Sequence, residues 1–241
     1  MRSFRLMAAA AGLAATFALP AAAQAAPRNL VCNGDGTVSG TYASIVVPEN
    51  GWCNLQNATV LGNAIVLSGG TLNLDVSGSV DGDVYVGSSG WLYEDTGWVI
   101  GGTTTGNGAQ DIQINGTSHS VYDKGGQGLY ISQATVDGDI VANQEQNGGD
   151  IFASTVRGNV LINGTAPTDG GSWWITGDLN PADGLLQEIY GNVVITSNQV
   201  EVNANGNHIH KNLVCEANTP PPVAQGNRVD GRSVGQCAST S

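Results

Sequence analysis

Apolar and polar residues alternate along this chain with a period of two, in short runs. Thr71-Leu72-Asn73-Leu74-Asp75-Val76 is representative. Period two puts the apolar side chains on one face of a strand, whereas a helix would need a spacing near 3.6. The runs are interrupted by corners of one kind. In Val156-Arg157-Gly158-Asn159-Val160 a β-branched residue leads into glycine and asparagine, and a second apolar run follows. Val60-Leu61-Gly62-Asn63-Ala64, Val80-Asp81-Gly82-Asp83-Val84, Val136-Asp137-Gly138-Asp139-Ile140, Ile175-Thr176-Gly177-Asp178-Leu179 and Ile189-Tyr190-Gly191-Asn192-Val193 repeat the pattern. Ile209-His210-Lys211-Asn212-Leu213 substitutes lysine for the glycine, and Val38-Ser39-Gly40 and Val229-Asp230-Gly231 are weaker copies at the two ends.

The anchors fall at positions 40, 62 and 82, then at 138, 158 and 177, then at 191, 211 and 231. Within each group the step stays close to one value, and a fixed period of about 20–50 residues signals stacked repeats. One such coil cannot bury its own apolar face, but coils stacked about 4.8 Å apart form parallel ladders around a continuous core. The pattern therefore predicts an all-β, right-handed parallel β-helix with about 20 residues per coil. Ten or eleven coils would make a rod roughly 50 Å long. Glycine at each corner is expected to supply a positive φ. A β-sandwich is the rival fold, and the constant corner chemistry disfavours it.

Two stretches depart from the period. From about 87 to 128 only Val99-Ile100-Gly101 and Ile114-Asn115-Gly116 resemble anchors, so distorted coils are expected there. The step from Gly177 to Gly191 falls well short of the others. Either one coil is short, or the span from Gly158 to Gly191 is one coil with an insertion, in which Pro181 to Glu188 would form a helical turn.

Positions 1–25 have the make-up of an export signal: Arg2 and Arg5, an apolar run from Leu6 to Leu19, and a small-residue site at Ala23-Gln24-Ala25. The run is too short to span a membrane. Residues 26–241 are then one secreted domain of the cell envelope or extracellular space, closed by a capping coil at 212–237. The full chain carries a net charge of −12, or about −14 without Arg2 and Arg5, which disfavours nucleic acid as a partner. Cys32 is separated from Cys53, and Cys215 from Cys237, by one coil plus a residue or two. Each pair therefore falls on neighbouring rungs. The sequence predicts disulfides Cys32–Cys53 and Cys215–Cys237, one staple at each end.

The segments Val46-Val47-Pro48, Gly51-Trp52-Cys53 and Ala58-Thr59-Val60-Leu61-Gly62-Asn63, with the closing Asn212-Leu213-Val214-Cys215, Pro220-Pro221-Pro222, Gly226-Asn227-Arg228-Val229-Asp230-Gly231 and Gly235-Gln236-Cys237, resemble a group of small exported bacterial β-helix proteins. That resemblance implies fold and export but no activity. A more distant likeness is to bactofilins, through the V-x-G alternation alone. The leader and the cysteines depart from that cytoplasmic family.

Candidate chemistry is sparse. Trp91 and Tyr93 flank Leu92 and should face outward, with Trp98, Glu94 and Asp95 nearby. A hydrophobic clasp on a distorted coil is the expectation; exposed aromatics beside acids also suit sugar stacking, so Trp91, Tyr93 and Trp98 are the candidate glycan-binding set, with extracellular polysaccharide or envelope components as partners. Asp81, Asp83, Asp137 and Asp139 repeat as D-G-D. No cofactor is expected: calcium is the ion such acids would take, but the glycine-rich nonapeptide of calcium β-rolls is absent and aspartate is a good corner residue. Tyr190, His210 and Asp230 fall in one column and Glu188, His208 and Arg228 in another. A solvated ladder is the expectation there, with a metal site or general base as the alternative. Asp137 and Arg157 are expected to form a surface ion pair. The scattered basic residues and the lack of a carboxylate pair on a long loop argue against a lyase or hydrolase. The function expected is that of a non-catalytic structural or surface protein, with carbohydrate binding as the alternative.

Overall fold

A computed structural model describes residues 26–34, 36–166, 170–177 and 187–238. The expected leader lies outside them. The described chain is all β, with 24 strands in parallel ladders and no helix. None of it is a helix long and apolar enough to cross a membrane.

Each coil has three faces. On the second face the inward column runs Tyr42, Val60, Val80, Ile100, Ser118, Val136, Val156, Ile189, Ile209, Val229. Ten rungs stand in this column, separated by nine turns. The first face stacks Leu55, Leu74, Glu94, Ile114, Ile131, Ile151, Ile175 and Ala204. The third stacks Ile45, Ala64, Val84, Thr104, Val121, Ile140, Val160, Val193, Leu213 and Ser233. Nearly all of these side chains are buried, and together they form one core through the rod. The disulfides are Cys32–Cys53 and Cys215–Cys237, each with Cα atoms 5.4 Å apart.

The register corrects four anchors. Val156 pairs with Ile189, so the span from Gly158 to Gly191 is one coil with an insertion. Gly177 belongs to the first face, two residues after Ile175, and is no corner of the repeat. Of the helical turn expected over Pro181 to Glu188, only Gln187 and Glu188 are described, and they begin the strand Gln187–Ile189. Gly102, not Gly101, turns the corner after Ile100, since its N–H donates to Gly82 O at 3.0 Å. His119 takes that place after Ser118, since its carbonyl accepts from Gly138 N–H, and Ser120 pairs with Thr103, so Gly116 is not a corner. Gly40 pairs with Ala58 and lies before the corner. The stretch from 87 to 128 carries the ordered strands Trp91–Glu94, Trp98–Asn107, Asp111–Ile114 and Thr117–Lys124. What changes there is coil length: Thr104 pairs with Val121, a shorter step than elsewhere on that face, and the register shifts between Ser118 and Ser120.

The corner glycines are not there for their φ. None of Gly62, Gly82, Gly158, Gly191 and Gly231 has a positive φ. Glycine is selected there by close stacking. A Cβ on Gly191 would lie 2.2 Å from Gly158 O, and one on Gly158 2.4 Å from Gly138 O. Left-handed residues sit at the other two corners: Asn50, Gly69, Ser89, Gly108, Gly125, Gln144, Gly164, Ser197 and Ala217 between the third and first faces, and Asn57, Val76, Gln133, Ala153 and Gly206 between the first and second.

Asparagine fills the slot after the anchor for a reason the rungs make plain. Asp139 Oδ1 accepts from Asn159 N and Nδ2 at 2.7 and 3.0 Å, Asn159 Oδ1 from Asn192, and Asn192 Oδ1 from Asn212. Each side chain thus satisfies the backbone N–H of the next rung, which a corner cannot pair by itself. The second acid of each D-G-D belongs to this scheme: Asp83 Oδ1, like that of Asp139, accepts from the next rung, here from Thr103 N at 2.8 Å. Asp137 pairs instead with Arg157 on the surface.

Candidate functional site

The first face carries most of the aromatic side chains that remain outside the core, with Tyr85 and Tyr122 exposed on the third face and Tyr190 on the second. Trp91 and Tyr93 lie on the strand Trp91–Glu94, with Leu92 buried between them. Both point outward and are partly exposed, with ring centroids 5.8 Å apart. Trp98 does not join them. It is fully buried, and its indole N–H donates to Asp75 O at 3.0 Å. Gly78 makes room for it, because a Cβ there would stand 2.6 Å from the Trp98 ring. Trp98 begins the strand that crosses to the second face, where Gly78 is its partner, so its side chain points into the core.

Three aromatics that the sequence reading leaves out join the same face. Trp52 is two rungs before Trp91 in one outward column, through Thr71. Tyr130 is two rungs after Tyr93, through Gln113, and Trp174 two rungs after Tyr130, through Asp150. Two rungs are about 10 Å at strand spacing. Trp52, Tyr130 and Trp174 are 44%, 41% and 48% exposed. Trp173 faces inward, as strand alternation requires. Of the five tryptophans, two are core and the other three share this face.

Amides and acids fill the rungs between the rings: Asn73, Gln113, Asp111 and Asp150. Two clefts lie along the face. One, of about 300 Å³, is lined by Trp52, Asn73, Asp75, Tyr93, Gln113 and Asn115. The other, of about 390 Å³, includes Tyr130, Asp150, Ser172 and Trp174. Burial and the Asp111 carboxylate raise the Tyr93 and Tyr130 hydroxyls above the usual tyrosine range, so both remain neutral donors. Burial, with Asp123 nearby, pushes Asp111 up to about 6.

A second cluster stands on the other side of the rod. The register of the second face aligns Glu188, His208 and Arg228. Two residues on, His210 stacks on Tyr190. The side chains of the two columns meet: His208 and His210 both reach Glu188 on the rung before and Asp230 on the rung after. A hydrogen bond from His208 holds the Asp230 carboxyl below its usual range.

Comparison with protein-family models, with curated proteins and with solved structures returns no match to this chain.

Proposed function

We propose that this chain is a non-catalytic, exported β-solenoid that binds a polysaccharide along its first face, in the cell envelope or the extracellular matrix. One observation carries the reading: Trp52, Trp91 and Trp174, with Tyr93 and Tyr130, stand on one of three faces, at intervals of whole rungs and with hydrogen-bonding groups between them. Aromatic rings stack on the apolar faces of sugars while amides and carboxylates take their hydroxyls. An extended chain lying along the rod would meet rings about every 10 Å. The acidic surface favours a neutral glycan over an anionic one. The two disulfides fit an oxidising compartment, as does the composition of positions 1–25.

The test is a panel of neutral and anionic polysaccharides offered to residues 26–241, with retention and released products both measured. Retention by a neutral glycan, reduced at least tenfold in Trp52→Ala and Trp174→Ala and without new reducing ends, supports the reading. Retention unchanged in both variants, or no retention across the panel, overturns it.

A further inference from the structure

His208 and His210 are two residues apart on one strand, so both imidazoles lie on the outer surface of the second face. Their centroids are 4.1 Å apart. The rung before supplies Glu188, and the rung after supplies Asp230. His208 Nδ1 and His210 Nε2 lie 3.1 and 2.9 Å from the same oxygen, Glu188 Oε2. The opposite nitrogens, His208 Nε2 and His210 Nδ1, lie 3.1 and 3.3 Å from Asp230 Oδ2. Arg228 Nε stands 3.3 Å from the other Asp230 oxygen.

A neutral imidazole has one N–H. Two neutral rings therefore bring two donors to four carboxylate contacts. With Asp230 taking both N–H groups, the two lone pairs are left converging on Glu188 Oε2, three electron-rich atoms facing one another. A cation between them removes the conflict. These three residues each offer a donor atom within 4.8 Å of the others. At the usual distance of about 2.0–2.2 Å from zinc, ligand atoms in a tetrahedron are about 3.3–3.6 Å apart, so the two imidazole–carboxylate separations need to open only by a few tenths of an ångström. The opposite N–H groups held on one carboxylate match the outer support that metal-binding histidines ordinarily have.

We propose that Glu188, His208 and His210 form a site for one divalent transition metal, zinc by its ligand chemistry, with Asp230 orienting both imidazoles from the side away from the metal. Two imidazoles and a carboxylate exclude a calcium or magnesium preference, since those ions take oxygen ligands. The ligands are only partly buried, so the fourth position faces solvent and takes water or a donor from a bound partner. The site is on the second face, away from the aromatic face, and does not depend on polysaccharide binding.

The experiment is a zinc titration of chelator-treated 26–241 by calorimetry, with cobalt(II) absorption as an independent reporter of coordination. Expected are one zinc per chain, at least a hundredfold weaker binding in His208→Ala and in His210→Ala, and tenfold to a hundredfold weaker binding in Asp230→Asn. The third histidine, His119, stands four rungs before His210 along the second face, so His119→Ala should bind as the parent does. Circular dichroism of each variant, together with the milder His208→Gln, separates ligand loss from misfolding. No zinc uptake by the folded parent, or uptake unchanged in folded His208→Gln and His210→Ala, overturns the proposal and leaves an imidazolium–carboxylate ladder.

Discussion

The Tyr190 ring lies flat on the His210 imidazole, with centroids 4.4 Å apart and planes 5° from parallel. The two residues occupy equivalent places on successive rungs, so the solenoid register itself makes the stack. Aromatic pairs of this kind contribute about 0.5–1.5 kcal/mol, and an exposed one should fall at the lower end. Tyr190→Ala should lower stability by about 0.5–1 kcal/mol in chemical denaturation, while Tyr190→Phe keeps the ring face and should be nearly neutral.

The amide ladder after the anchors has a direction. Asn159 donates to Asp139 and accepts from Asn192. An aspartate fits only where no donated hydrogen is needed, as at position 139. Asp139→Asn should therefore change stability by no more than about 0.5 kcal/mol. Asn159→Asp sets a carboxylate against that of Asp139 and removes a donor, at about 1–2 kcal/mol. Urea melts of both variants at neutral pH test the asymmetry.

Asp123 and Glu145 are buried carboxyls inside the rod, converging beside Gly126. Burial raises Asp123 above the usual carboxylate range; burial, then the Asp123 charge, raises Glu145 further. The folded state thus holds protons that the unfolded chain releases above about pH 4. Their stabilising effect is fully present below that pH and is lost as pH rises through the folded values, including that of Asp111 at about 6. The melting temperature should fall from pH 5 to pH 9, and Glu145→Gln should flatten the fall. A melting temperature that rises over this range would contradict the account.

Trp98 and Trp52 should separate stability from binding. Trp98 fills the core against Gly78, so Trp98→Ala should cost about 3–5 kcal/mol. Gly78→Ala should cost about 1–3 kcal/mol by overpacking against the ring. Trp52→Ala removes an exposed ring and should stay within about 0.5 kcal/mol of the parent. Thermal melts of the three variants give the order directly.

Wherever equivalent positions keep the common period, sequence and structure agree. The disulfide pairs follow from that spacing, and so does the alignment of Glu188, His208 and Arg228. Sequence could not show that His208 and His210 reach the same two carboxylates, because convergence depends on rotamers across three rungs. The gathering of Tyr130 and Trp174 was hidden for another reason. Their face advances by unequal steps: that from Ile114 to Ile131 falls short of the period and that from Ile151 to Ile175 overruns it, whereas Trp52 keeps the period with Trp91. Trp98 was misplaced because its strand starts on the way round a bend, where period two does not give the facing. Most of the glycine corners were placed correctly, but their cause was invisible in one dimension, since it is the carbonyl one storey below.

The two disulfides join only neighbouring storeys, yet they do so near both tips of the described rod. In a stack, the outermost layer is held from one side alone and peels first. With each tip riveted, unravelling must begin by parting layers gripped from both sides. Within the stapled coils of the described rod a protease or a shearing load meets no free end, and a reductant is what would create one.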